Sequence, residues 1–239
     1  MISITKKELK QFFSTFAGYI AIILFLIVTA LYLFVLRDSN IFDIGYATLD
    51  PFFSIAPWIF IFLIPAIAMR SFSEEYRTGT FEILKTLPVS GWQIVMGKYL
   101  AVLIICLIAL IPTLLYPITL SVLSTAGIDG GGIAGSYIGL IFLAAVFSSI
   151  SVWCSSLSSN TVISFLAGAF FCLLLYFGFN ALSKIPVFAG NIDYYIEILG
   201  IDFHYQSISR GVIDSRDIIY FLSVIYLFLF ASRQNIIKG

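Results

Sequence analysis

The sequence predicts an all-α integral membrane protein with six transmembrane helices. Of its 239 residues, 60% are hydrophobic and 11% are charged, and the mean hydropathy is +1.04. A soluble domain lies nearer half apolar and a quarter charged. Apolar runs of about 20 residues, long enough to cross a hydrocarbon core of roughly 30 Å, recur along the chain. We therefore expect one transmembrane domain over residues 1–239.

The N-terminal residues predict an amphipathic helix at the membrane surface. Its apolar side carries Leu9, Phe12, Phe13 and Phe16, and its basic side carries Lys6, Lys7 and Lys10. Thr5 and Glu8 have the spacing of a capping box. Such a helix lies among anionic lipid headgroups, so Lys6, Lys7, Lys10, Phe12 and Phe13 are the predicted membrane-interface residues. The alternative is a plain N-terminal extension of the first span.

Six spans are predicted, at about 17–36, 51–69, 99–123, 136–157, 162–182 and 217–232. A capping box at Ser90 and Gln93 opens the helix that leads into span three. The last span has only about 16 residues, or some 24 Å, so we expect it to start earlier, thin the bilayer or be sheltered by protein. Residues 184–216, which precede it, form a polar and aromatic segment too long for an ordinary connector.

The distribution of Lys and Arg predicts the orientation, because cytoplasmic loops hold an excess of these residues. Nine basic residues fall on the side of the termini and of the charged segment 74–88: Lys6, Lys7, Lys10, Arg70, Arg77, Lys85, Lys98, Arg233 and Lys238. Four fall on the other side: Arg37, Lys184, Arg210 and Arg216. The N-terminus, the C-terminus and the charged segment are therefore predicted to be cytoplasmic.

The segment from Glu74 to Pro88 is a charged island with its own helix signals. Gly79 breaks the preceding segment, Thr80 has the chemistry of an N-cap, and Glu82 lies in the first turn, where the helix dipole favours an anion. Pro88 ends the run. These signals predict a two-turn cytoplasmic helix between spans two and three.

This short helix has one apolar face, formed by Phe81, Leu84 and Leu87 beside Ile83. A helix of this length is not stable alone, so the face needs a partner surface. That surface is either a groove on another protein or, in the alternative interpretation, the spans of this chain itself or the lipid surface.

The sequence contains no complete catalytic, metal-binding or nucleotide-binding motif. Residues 130–135 spell GxGxxG without a preceding strand, and residues 91–99 lack the spacing and the Ser or Thr of a P-loop. A membrane metalloprotease would need further metal ligands near Glu74 and Glu75, but the single histidine, His204, is predicted on the opposite side. No GxSxG motif is present either. The sequence therefore predicts no catalytic residues, no metal and no cofactor.

The layout resembles the permeases of ABC-2 type transporters. The residues that carry the resemblance are EEYRTGTFEILKTLPVS, from Glu74 to Ser90, between spans two and three, together with the six spans and the long outer segment. The stretch from His204 to Ser223 is similar to the gliding-motility permease subunits of the GldF type. The nitrous-oxide-reductase maturation permeases are a wider relation.

The resemblance implies that the short helix is a coupling helix that docks on a separate ATPase subunit, where ATP is hydrolysed. It implies that Gly79, Thr80, Glu82, Leu84 and Pro88 shape this helix, and that Glu74, Glu75 and Arg77 form a charged hinge above it. Residues 184–216 would correspond to the re-entrant outer helices of the family.

The resemblance also implies a multi-pass protein of the bacterial inner membrane in a gliding-motility or secretion complex. The expected partners are the ABC ATPase, a second permease half (a homodimer or heterodimer), a periplasmic-domain subunit and membrane lipids, with no nucleic acid. The open alternative is a non-transporting membrane scaffold or assembly factor that uses the same helix to recruit a cytoplasmic partner.

Overall fold

The computed structural model describes residues 1–36, 41, 48–86, 88–124, 127–185, 191–211 and 214–238. Within these ranges every regular element is helical. The α-helices, α1 to α13 in chain order, are Ile2–Phe13, Phe16–Phe34, Asp50–Ala68, Arg70–Thr78, Thr80–Thr86, Gly91–Leu110, Leu115–Leu123, Gly130–Ser155, Thr161–Leu173, Phe179–Ser183, Asn191–Glu197, Ile201–Ser209 and Ser215–Lys238. A 3₁₀ turn, Ile111–Leu114, joins α6 to α7, and a π-helical turn, Leu174–Gly178, joins α9 to α10.

Five helical stretches are long and apolar enough to cross a membrane: Asp50–Thr78, Gly91–Leu123, Gly130–Ser155, Thr161–Ser183 and Ser215–Ile237. A sixth candidate arises when α1 and α2, which meet at a bend of 72°, are counted together. The all-helical membrane architecture predicted from the sequence is thus present. Arg37, which the charge count assigned to the outer side, lies outside the described residues.

Several predicted spans, among them the second, the fourth and the last, are longer as helices than their apolar runs. The second continues through α4 to Thr78, so the whole stretch Asp50–Thr78 has 29 residues and is roughly 43 Å long. The fourth starts at Gly130, where the side chain of Asp129 accepts a hydrogen bond from Gly132 N (3.0 Å). The last runs from Ser215 to Lys238 and has 24 residues, not 16: it starts two residues earlier, which is one of the expected adjustments, and it ends six residues later. Polar residues end an apolar run, but they do not interrupt the backbone hydrogen bonds of a helix.

The capping box at the start of α6 is confirmed. Gln93 N donates to Ser90 Oγ (3.3 Å), and Ser90 N donates to Gln93 Oε1 (3.1 Å). The capping box predicted for Thr5 and Glu8 is wrong, because α1 already begins at Ile2. The Thr5 hydroxyl instead donates to Gly97 O (3.0 Å) on α6. A contact between helices has taken the place of the local one.

Helix α8 is the central helix of the bundle and packs against α3, α6, α9, α12 and α13. Small residues on its surface allow these neighbours to approach closely. A Cβ on Gly135 would lie 2.8 Å from Gly211 Cα, and one on Gly139 would lie 3.3 Å from the ring of Tyr205. Because lipid tails solvate apolar side chains as well as protein does, close packing of this kind is a main source of helix association in membranes.

The outer segment contains the two short helices α11 and α12. Helix α12 packs against α8 and α13, at the end of the bundle where α3 begins. His204 on α12 is buried between two oxygen atoms, Asp217 Oδ1 at 2.7 Å from Nδ1 and Ile198 O at 2.8 Å from Nε2. The single histidine therefore ties the outer segment to the start of the last span.

Candidate coupling site

The charged segment lies at the end of the long helix Asp50–Thr78, beyond its apolar part. Glu74, Glu75 and Arg77 belong to α4, so the charged hinge expected from the resemblance is a regular helix. The break comes one turn later, at Gly79, which has φ 69° and caps α4 in the left-handed conformation. Glycine adopts this conformation without the clash that a Cβ introduces. The chain then starts α5 directly at Thr80.

Helix α5 packs against α4 through aromatic rings. Phe81 is buried, and its ring meets Tyr76 edge to face at a centroid distance of 4.8 Å and Phe72 at 6.2 Å. Leu84 is half-buried and packs against the hydrophobic core. For these two residues the alternative interpretation is the correct one, because the apolar face lies on the chain's own helices. Leu87 lies outside the described residues.

The outward side of α5 is exposed and of mixed polarity. Glu82 and Thr86 are exposed, and Ile83 exposes 65% of its surface. Gly79 and Thr80 precede this surface, and Pro88 follows it; all three are exposed. A protein partner would therefore meet an anion next to an aliphatic side chain, held in place from behind by Phe81.

Four charged side chains tie α1, α4 and α6 together beneath this helix. Lys98 on α6 is fully buried, and its Nζ lies 2.8 Å from Glu75 Oε2 and 2.9 Å from Glu8 Oε1. It also donates to Ser71 O. Lys7 closes the cluster with its Nζ 2.6 Å from Glu75 Oε1. Two cations and two anions balance, as burial of charge in a low dielectric requires. We call Lys7, Glu8, Glu75 and Lys98 the charge cluster.

The pKa shifts within the charge cluster favour the charged forms. Burial alone would raise the pKa of Glu75, but the charge of Lys98 and the hydrogen bonds from both lysines lower it below its ordinary value. Burial alone would lower the pKa of Lys7, but Glu75 and Glu8 raise it. Glu75 therefore stabilises the cluster until the pH falls through its lowered pKa, and Lys7 until the pH rises through its raised pKa. Both contributions are present at neutral pH.

Ser155, at the end of α8, holds the junction of α3 and α4. Its Oγ accepts from Phe72 N (3.0 Å) and Ser73 N (3.3 Å) and donates to Met69 O (3.0 Å). These are the backbone groups freed where the two helices meet. The start of α4 is thus fixed to the central helix of the bundle.

A cavity of about 350 Å³ lies beside α5. Its walls are α4 and α5 on one side and, on the other, residues 156–159 between α8 and α9 together with Asn235 of α13. Asn235 Nδ2 donates to Ser156 Oγ (3.2 Å), and the Arg233 guanidinium lies 5.7 Å from the ring centroid of Trp92. Through Lys7 and Asn235, both terminal helices reach the end of the bundle that carries α5.

Residues 2–191 of the chain match the family described as ABC-2 family transporter protein. The chain belongs to this family. No curated protein matched the sequence. Family members are membrane subunits of ABC transporters and are generally non-catalytic, and membership implies association with an ABC ATPase. The match ends before α12 and α13, where the similarity to gliding-motility subunits was found, so that finer assignment stays a prediction.

The predicted membrane-interface residues of the ABC-2 chain lie on α1 in two different settings. Lys6 and Lys10 are exposed, whereas Lys7 is engaged in the charge cluster. Phe12 and Phe13 are half-buried, and their rings meet edge to face at 5.3 Å. Their contact with lipid headgroups stays a prediction.

Sequence reasoning missed two parts of this ABC-2 site. Lys98 entered only the charge count, and no local pattern of the sequence marks it as buried. Ile83 was placed beside the apolar face of α5, but it is the exposed aliphatic residue of that helix. Its orientation follows from the burial of Phe81, which helical spacing alone does not specify.

Proposed function

We propose that this ABC-2 protein is a permease subunit that receives an ATPase subunit at α5. In this proposal it crosses the bacterial inner membrane six times, with both termini cytoplasmic. The observation that carries the proposal is a two-turn helix with an outward pair, Glu82 and Ile83, fixed to the end of a 29-residue helix. Helix α5 is too short to be stable alone, and its packing on α4 fixes its position before a partner arrives.

Movement of the ATPase would reach the membrane through α4. A push on α5 passes through the contact of Phe81 with Tyr76 into α4, and from there into the second span. The charge cluster links the same helix to α1 and α6. Since packed helices move as rigid units, closure of the ATPase would shift three elements together.

The assembly we propose contains a second permease half, as a homodimer or heterodimer, and a periplasmic-domain subunit. Exposed apolar residues on α2 and α9, including Ile23, Leu24, Val162 and Leu166, provide surfaces for lipid or for the second half. We assign α11 and α12 to the re-entrant outer helices. Gliding motility or secretion is the proposed process, on the similarity of residues 204–223.

The test is a double variant of the outward face of α5, Glu82→Lys with Ile83→Asp. Tagged protein is purified from native membranes in mild detergent, and the ATPase activity of what accompanies it is measured. We expect the double variant to insert normally but to lose the co-purifying ATPase. The matched control is Ile192→Asp, since Ile192 on α11 is similarly exposed (58%) at the other end of the chain's fold.

Two outcomes would contradict the proposal. In one, the double variant retains the ATPase at the level of the unaltered protein. In the other, the partners held by intact α5 hydrolyse no ATP, which would favour a membrane scaffold that recruits a cytoplasmic protein. Loss of the ATPase in the Ile192→Asp control as well would indicate a general effect on folding and count against a site on α5.

A further inference from the structure

We propose that a cavity at the end of the bundle opposite α5 binds a small organic cation through a protonated amine. The cavity has a volume of about 380 Å³ and lies between α3, α8, α12 and the π-helical turn Leu174–Gly178. The long helix Asp50–Thr78 separates it from α5 by most of roughly 43 Å. A volume of this size lies at the lower end of the range for small-molecule sites.

The floor of the cavity contains a buried carboxylate, Asp202, which exposes 7% of its surface. Its Oδ2 accepts from Gln206 Nε2 (2.9 Å) and from Asn180 Nδ2 (3.4 Å), both of which are neutral. Within the described parts of the chain no cationic side chain pairs with Asp202. His204, two residues further on, is held by Asp217 and Ile198 O.

A buried carboxylate with only neutral partners favours the arrival of a cation. Removing the carboxylate from water costs free energy, and amide donors compensate for only part of it. The charge cluster at the other end of the protein shows the usual solution, in which each buried carboxylate has a lysine. At Asp202 none of the described residues supplies one, and a bound cation would complete the pairing.

Aromatic side chains form the walls around this carboxylate. The rings of Trp58 and Phe177 lie 4.2 Å apart between centroids, and Tyr176 and Tyr205 also line the cavity. The Tyr205 hydroxyl donates to Phe53 O (2.8 Å) and is therefore not available to Asp202. Aromatic faces attract ammonium groups through the ring quadrupole, and they also pack against the apolar part of an amine.

The rim of the cavity has the same sign of charge as its floor. Asp50, at the start of α3, is exposed there, and the described lining residues include no Lys or Arg. A concave site lined by one sign of charge raises the local concentration of the opposite ion. An anionic ligand would meet two carboxylates and no cation, so the cavity favours an amine over an acid.

The test measures binding of three probes of similar shape to the full chain in lipid nanodiscs: 2-phenylethylammonium, 2-phenylethanol and 3-phenylpropanoate. Titration calorimetry against empty nanodiscs removes the contribution of partition into lipid. We expect the ammonium probe to bind more tightly than the alcohol, and the carboxylate probe not to bind. Asp202→Asn should lower the affinity for the ammonium probe at least about tenfold, which corresponds to about 1.4 kcal/mol of binding free energy.

Two further variants keep the result decisive. Asp193→Asn removes a carboxylate from the same outer segment but outside the cavity lining, and should leave binding unchanged. Trp58→Leu keeps an apolar wall but removes the aromatic face. It should weaken the binding of the ammonium probe severalfold and leave the binding of the alcohol unchanged. If Asp202→Asn fails to insert into the membrane, the Trp58→Leu variant by itself tests whether the cavity binds the ammonium group.

The proposal is overturned if the ammonium probe binds no more tightly than the alcohol. It is overturned equally if Asp202→Asn retains the affinity of the unaltered protein, or if Trp58→Leu weakens both probes alike. No ATPase is needed for these measurements, so their outcome is independent of whether α5 couples to a partner.

Discussion

Replacing Lys98 by methionine is the most informative perturbation of the charge cluster. The side chain of Lys98 is fully buried and contacts Glu8, Glu75 and Ser71 O. Its loss leaves two carboxylates, 14% and 11% exposed, facing Lys7 alone. Breaking a buried ion pair by removing one partner costs about 3–5 kcal/mol. Because Lys7 still contacts Glu75 at 2.6 Å, we expect the lower end, about 3 kcal/mol.

The measurement is thermal unfolding of the purified protein in nanodiscs. For a chain of this size, 1 kcal/mol corresponds to about 2–4 °C, so Lys98→Met should lower Tm by about 6–12 °C. Adding Glu8→Gln should recover much of this loss, since the variant then has one cation, Lys7, and one anion, Glu75. Lys10→Met, on the exposed side of α1, serves as the control and should change Tm little.

Two results would refute this reasoning. A decrease below about 3 °C for Lys98→Met would show that the buried charge contributes little to stability. A large decrease without recovery on addition of Glu8→Gln would assign the effect to lost packing and not to unbalanced charge.

Three further predictions concern single residues at helix ends and helix contacts. Ser155→Ala leaves two buried backbone N–H groups without their acceptor and should cost about 2–4 kcal/mol in thermal unfolding, whereas an unchanged Tm would contradict the assigned hydrogen bonds. Gly135→Ala places a Cβ 2.8 Å from Gly211 Cα and should cost about 1–3 kcal/mol, while Gly130→Ala, with open space around it, should be neutral; equal effects would refute the close contact. Gly79→Ala forces a Cβ into the left-handed conformation at φ 69°, which should cost only about 1–2 kcal/mol of stability. Because the turn positions α5, the amount of ATPase that co-purifies should fall. Full co-purification would show that the turn is dispensable.

The helices and their local signals were predictable because they depend on neighbouring residues. Apolar runs placed the spans, Ser90 with Gln93 placed the start of α6, and Gly79 placed the break before α5. The ends of the helices were less predictable. After Ser232 polar residues leave the apolar run without leaving the helix, because backbone hydrogen bonds continue through either kind of residue, and after Met69 the chain continues at once into α4.

The sequence did not predict which residues of other helices each polar side chain contacts. Thr5 had the spacing of a local cap, yet its hydroxyl binds the backbone of α6 at Gly97. His204 was predicted only to lie on the side opposite Glu74 and Glu75, and Asp217 lies 2.7 Å from it only because α12 folds back on α13. Spacing along one helix reports neighbours three or four residues apart, and says nothing about a residue that another helix brings close.

The sequence by itself therefore determined the class of the protein: a helical membrane chain of the ABC-2 family with a short charged helix between two spans. Composition and local periodicity suffice for the helical membrane class, because lipid imposes helices on every apolar run that crosses it, and the family followed from the resemblance of residues 74–90 and the family match. Only the tertiary structure decided which side of α5 faces outward, that Lys98 is buried between Glu8 and Glu75, and that Asp202 lines a cavity with no cationic partner in the described chain. Burial and charge pairing are properties of helices packed together, and no single stretch of sequence contains them.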